Sequence, residues 1–129
     1  MSRILVVDDD VDVRESLAVV CENWGYEVAT AADGDEALAF VAAFAPDVVV
    51  LDLGLPGELD GPEVARRIRD ADGQRVFIVA LTGWTRPKDR HDAIDAGVNV
   101  FHLKPPDLQG LRQTIAHAVI NRRNAPWRS

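Results

Sequence analysis

Five short runs rich in β-branched residues recur along the chain: RILVV (3–7), YEVAT (26–30), DVVVL (47–51), VFIVAL (76–81) and NVFHL (99–103). Each has the length of a strand, and several are nearly continuous in apolar character. A parallel strand covered on both faces reads this way, because neither side needs polar residues. Between the runs, apolar residues recur at the three- and four-residue spacing of a helix face. Alternation of strand and helix five times over points to an α/β domain: a doubly wound, five-stranded parallel sheet with helices on both faces.

The helical segments carry their own boundaries. In the first, Val13, Leu17, Val20, Cys21 and Trp24 share one face and Gly25 is the stop. In the second, Asp33 is the cap, Ala37, Phe40, Val41 and Phe44 form the apolar stripe, and Pro46 ends the helix. The third begins near Asp60-Gly61-Pro62, with proline suited to a first turn, and buries Val64, Ala65 and Ile68. The fourth starts near Pro87, turns Ala93 and Ile94 inward and stops at Gly97. The fifth runs from about Asp107 with Leu108, Leu111, Ile115, Ala118 and Val119 inward, and the tail is expected to fray from about residue 122.

A chain of 129 residues suits one domain with a proper core. Its 21 acids against 14 Lys and Arg give a net charge of −7, which argues against nucleic acid or an anionic membrane as a direct partner. No apolar run approaches a membrane span, and acids arrive too early, at Asp8, for a signal peptide. The one cysteine, Cys21, cannot form an internal disulfide, so a cytoplasmic location is expected and Cys21 reads as a small core residue.

In a doubly wound sheet, ligands bind outside the carboxyl ends of the strands, at the switch in winding direction. Asp8, Asp9 and Asp10 follow strand one, and Asp52 and Leu53-Gly54-Leu55-Pro56 follow strand three. Thr82 follows strand four, and Lys104 follows strand five. One edge thus gathers acids, a hydroxyl and an ammonium. Oxygen ligands without cysteine or histidine suit a hard cation, and Mg²⁺ takes one or two carboxylates with waters and phosphate oxygens. A carboxylate beside such a cation can also act as a nucleophile and form an aspartyl phosphate. Phosphoryl transfer chiefly needs positioning and charge neutralisation, for which Lys104 supplies an ammonium and Thr82 a hydroxyl. Asp10 reads instead as the cap of the first helix. His91, His102 and His117 are scattered and read as surface or packing residues. No phosphate-cradling glycine loop, zinc spacing or Ser-His-Asp set is present.

VVDDD (6–10), VVVLDLGLPG (48–57), ALTG (80–83) and FHLKPP (101–106), in that order, resemble the receiver domain of two-component response regulators, of the single-domain or hybrid-kinase type. The resemblance covers the whole chain and implies a flavodoxin-like sheet of order 2-1-3-4-5. It implies that Asp52 is the phospho-acceptor. Asp9 would bind Mg²⁺ or Mn²⁺ directly, with Asp52 and the backbone carbonyl of Gly54, while Asp8 would act through a metal-bound water. Thr82 corresponds to the switch hydroxyl and Lys104 to the ammonium that pairs with the acids and then with phosphate. Lys104-Pro105 corresponds to a cis peptide bond. Phe101 falls at the rotating aromatic position but lacks the frequent tyrosine hydroxyl, so its switch would be a packing change. Gly54 and Trp84 fall at positions that tune phosphate lifetime, and this pair implies a long-lived phosphoform.

The implied function is a phosphorylation-dependent signalling switch. A histidine kinase or histidine phosphotransfer protein would phosphorylate Asp52, and a conformational change would signal to a downstream protein target. Such a domain catalyses its own phosphorylation and dephosphorylation without being a turnover enzyme. An aspartyl-phosphate hydrolase is the alternative of a different class, but it usually carries a second acid two residues after the nucleophile, where this chain has Gly54. A degenerate receiver acting only as a binding module would have lost an acid, Thr82 or Lys104, and none is lost. The resemblance also allows a homodimer through the face of helix four, strand five and helix five. Arg86, Lys88 and Arg90 with Asp89, Asp92 and Asp95 read there as a solvated charged face. Met1 just ahead of strand one suggests a natural N-terminus, although the cut edge of a longer chain would look the same, and the short tail after helix five is expected to carry no effector within these residues.

Overall fold

Each β-branched run forms a strand and each intervening segment a helix. A computed structural model describes residues 1–72, 75–83 and 86–124. In chain order these form β1 (Arg3–Val7), α1 (Val11–Asn23), β2 (Glu27–Ala31), α2 (Gly34–Phe44) and β3 (Val48–Asp52). There follow α3 (Gly61–Asp72), β4 (Phe77–Thr82), α4 (Pro87–Asp95), β5 (Val100–Leu103) and α5 (Leu108–Asn124). The sheet order is β2-β1-β3-β4-β5, and every neighbouring pair is parallel. The tail from residue 125 lies outside the described residues.

Alternation along the strands divides the interior in two. Leu5, Val7, Val49, Leu51, Ile78 and Ala80 face Ala37 of α2, Val64, Ala65 and Ile68 of α3, and Ala93 of α4. Ile4, Val6, Val48, Val50, Val79 and Leu81 face Leu17 and Cys21 of α1 and Leu111, Ile115, Ala118 and Val119 of α5. The three central strands are therefore buried on both faces, which is why their sequences show no polar alternation. The edge strands β2 and β5 are only partly covered. Cys21 is a buried core residue, and burial pushes its thiol up to about 11.

Side-chain caps set the helix starts. Asp10 accepts the amides of Asp12 and Val13 at α1, Asp33 that of Glu36 at α2, and Asp60 that of Glu63 at α3. Three apolar residues expected inside are exposed: Phe40 at 37%, Ile94 at 57% and Leu108 at 45%. The inward face of α2 centres on Ala37, Leu38 and Val41, and Phe40 lies roughly 100° away around the helix. α4 packs through Ala93, with Ala96 just beyond it, and Ile94 turns away from that line. Leu108 is the first residue of α5 and lines an open groove with Trp24 and Arg112 instead of entering the core.

Two junctions fix loops near the strand ends. Arg69 of α3 donates through Nε to the Gly97 carbonyl (3.0 Å) and through a terminal nitrogen to Asn99 Oδ1 (2.6 Å), which also accepts the Ile78 amide (2.8 Å). This ties the turn after α4 to α3 and β4. Gly61 packs so closely on the β3 terminus that a Cβ there would meet the Leu53 Cα and come within 2.8 Å of the Asp52 carbonyl oxygen. Backbone cannot yield as a flexible side chain can. Gly61→Ala is therefore expected to lower unfolding free energy by about 1–3 kcal/mol, measured by urea denaturation, through overpacking.

Candidate functional site

β1 and β3 pair at the centre of the sheet with Val7 opposite Leu51. One residue further, Asp8 leaves β1 and Asp52 closes β3, so two carboxylates emerge side by side. β1 is followed in sequence by its neighbour on one side, β2, and β3 by its neighbour on the other, β4, which makes this the switch point of the sheet. β4 ends at Thr82, opposite Leu103, and the Lys104 amide donates to the Thr82 carbonyl at 2.9 Å. The topology thus brings Asp8, Asp9, Asp52, Thr82 and Lys104 to one edge.

Asp8, Asp52 and Thr82 are buried, whereas Asp9 is exposed. Carboxylate oxygens of Asp8, Asp9 and Asp52 lie within 4.8 Å of one another. Buried charge requires pairing and hydrogen bonds. Lys104 Nζ donates to Asp8 Oδ2 at 3.0 Å and lies 3.1 Å from Asp52 Oδ1. Asp8 Oδ1 accepts the Asp10 amide and Asp52 Oδ1 the Gly54 amide, each at 2.9 Å. These local turns hold both carboxylates against rotation. Three carboxylates against one ammonium leave two excess negative charges, and one divalent cation would balance them. An all-oxygen donor set of this kind fits Mg²⁺ or Mn²⁺.

Burial by itself would lower the Lys104 pKa. Hydrogen bonds to Asp8 and Asp52, with their negative charges, outweigh that and raise it above the ordinary 10.5.

The remaining candidates surround this cluster. Gly54 is exposed between the buried Leu53 and Leu55 and brings its amide, but no side chain, to Asp52 Oδ1. The Lys104–Pro105 peptide bond is cis. Phe101 is half-buried on β5, opposite Ala80, and packs against the α2–α4 core. Trp84 lies outside the described residues. The histidines stay away from the acids: His91 faces Asp95 on the surface, and His102 bonds Thr114 of α5 at 2.9 Å. At the start of α4, Arg86 pairs with Asp89 at 2.8 Å. One participant has no counterpart in the sequence reading. Arg14, on α1, donates to the Asp8 carbonyl at 3.0 Å and braces the turn that carries Asp8 and Asp9. Its only sequence signal is its position near the start of α1, close to the same sheet edge.

The family model "Response regulator receiver domain" matches residues 4–116. The chain belongs to the response regulator receiver domain family. This receiver domain is 45% identical over 109 residues to the response regulator MprA of Mycolicibacterium vanbaalenii, which covers 84% of the chain but 46% of that protein. The chain thus spans about half the length of such relatives. Among solved structures, a CheY-like receiver domain protein from Methanospirillum hungatei matches with a TM-score of 0.89 at 25% identity, covering 96% of this chain and 98% of that one. The chemotaxis protein CheY4 of Vibrio cholerae matches with a TM-score of 0.84 at 30% identity, covering 92% and 98%. No helix among the described residues is long and apolar enough to cross a membrane.

A lysine whose folded pKa is raised contributes stability that is full below its unfolded value and is lost as pH rises through the folded value. Wild type is expected to exceed Lys104→Met in unfolding free energy between pH 7 and 9. The gap should narrow once pH passes 10.5, measured by denaturation across the range. A gap unchanged to pH 12 would contradict the ion-pair account.

Proposed function

We propose that this receiver domain is a phosphorylation-dependent switch that accepts a phosphoryl group on Asp52 from a histidine kinase or histidine phosphotransfer protein. The observation that carries the reading is the placement of Lys104 Nζ between Asp8 and Asp52, 3.0 and 3.1 Å away, beside a third carboxylate. An Asp52 carboxylate oxygen forms the new bond to phosphorus as the donor's nitrogen–phosphorus bond breaks. Lys104 moves from its carboxylate partners to a phosphoryl oxygen, and the Thr82 hydroxyl donates to another. Asp9, Asp52 and the Gly54 carbonyl would hold Mg²⁺ or Mn²⁺, with Asp8 acting through a water. When bound, the cation supplies further positive charge over the transferring group.

Closure of Thr82 and repacking of Phe101 would pass the change to α4, β5 and α5, the face that meets a downstream protein target or a second copy of the chain. The free Cys21 and the acidic surface suit a cytoplasmic location without direct nucleic-acid contact. The hydrolase alternative is disfavoured because exposed Gly54 offers no acid for turnover.

With Mg²⁺ and a small phosphodonor, wild type is expected to gain one alkali-labile phosphoryl group. Asp52→Asn or excess chelator should abolish labelling, and Lys104→Met should reduce it at least tenfold. Persistent labelling of Asp52→Asn would sink the assignment, and continuous phosphate release over many turnovers would favour the hydrolase. Gly54 places no side chain over the phosphate, so the phosphoform should be long-lived. Gly54→Asn should shorten its half-life severalfold in a decay assay by positioning a water, and an unchanged half-life would refute the lifetime role.

A further inference from the structure

Phe101 has no hydroxyl through which to hold its ring by a hydrogen bond, so other contacts must fix its position. One side of the ring packs against the α2–α4 core. Over it lies Arg90 of α4, with Cζ 5.7 Å from the ring centroid, inside the roughly 6 Å reach of a cation–π contact.

Two ion pairs flank Arg90 on its own helix and at its cap. Arg86 pairs with Asp89 at 2.8 Å, and His91 faces Asp95 at 3.5 Å. Residues three and four away from Arg90 are Arg86, Pro87, Ala93 and Ile94, so its own helix places no carboxylate at ion-pair spacing. Among the described residues Arg90 makes no ion pair, and the Phe101 ring is its partner. The far end of α4 is pinned separately, where Arg69 holds the Gly97 carbonyl and Ala93 and Ala96 are buried. α4 is thus anchored at its C-terminal end and touches the aromatic ring from its middle.

We propose that Arg90 is the positioning residue for Phe101: its guanidinium holds the ring in its present place and makes the ring and α4 move together. The proposal rests on the reading of Phe101 as the switch aromatic. A β5 phenylalanine with a cationic cover on α4 replaces the hydrogen bond that a tyrosine would use with a contact between two output elements. Any shift of α4 away from β5 frees the ring, and any inward turn of the ring releases α4.

The test uses the full chain labelled with 4-fluorophenylalanine. The four phenylalanines give separate fluorine signals, and Phe101→Leu assigns the relevant one. In unphosphorylated protein, Arg90→Met is expected to shift the Phe101 signal and raise the second ring environment about two- to fivefold relative to the first, the range of an exposed cation–π contact. Arg90→Lys should restore most of the wild-type signal, which a purely steric role would not predict. Unchanged Phe40, Phe44 and Phe77 signals show that the fold is intact. An unmoved Phe101 signal in Arg90→Met, or Arg90→Lys behaving like Arg90→Met, overturns the proposal. In a second arm, Mg²⁺ with beryllium fluoride should drive the wild-type Phe101 signal toward the same second environment. A ring indifferent to beryllium fluoride while Asp52 labels normally overturns the switch role of Phe101, yet leaves Asp52 as acceptor.

Discussion

Two buried carboxylates on neighbouring strand ends need a counter-charge, and among the described residues Lys104 supplies it. The requirement reaches far from the site. Lys104 arrives only because β5 follows β4 at one side of the sheet, and its amide is fixed by the Thr82 carbonyl. Asp8 and Asp52 face each other because β1 and β3 are paired in register at the centre. The apolar strands therefore do more than build a core. Their burial on both faces removes the freedom to slide, and a one-residue slip would send every core side chain to the wrong face and pull the acids apart.

A single ammonium leaves the cluster short of positive charge, and that shortfall gives the site its chemistry. Two further ammoniums would be needed to balance the cluster from side chains alone. With two negative charges in excess, the edge suits a divalent cation. Turnover needs a further acid or a held water near the acceptor. The loop after Asp52 instead buries Leu53 and Leu55 and leaves bare glycine between them.

Much of this was legible in the sequence, because strand ends and helix caps are local signals. The three buried strands announced themselves by lacking polar alternation, and Asp10 and Asp33 cap as their positions suggested, while Asp60, read only as the neighbourhood of a helix start, proves to be a cap as well. Legibility failed where direction around a helix mattered more than polarity. Phe40 and Ile94 are apolar but lie off the face that packs, and Leu108 begins its helix beyond the cover of the sheet. The arginines failed for a different reason. Arg14 and Arg90 act through the ends of long side chains on partners in other elements, six and eleven residues away, where the periodicity of a single helix or strand does not apply. Arg90 looked like part of a solvated charged face, and it is exposed, yet its own helix places no acid at ion-pair spacing from it.

The edge strand β5 has a consequence of another kind. It is four residues long, and Pro105 and Pro106 follow directly after Lys104. An open sheet edge invites a foreign strand to add itself by main-chain hydrogen bonds, the first step of uncontrolled assembly. Here the invitation is brief: prolines have no amide hydrogen to give, and a charged lysine stands before them. The same short stretch that delivers the ammonium to the acids also limits templated growth at this edge of the sheet.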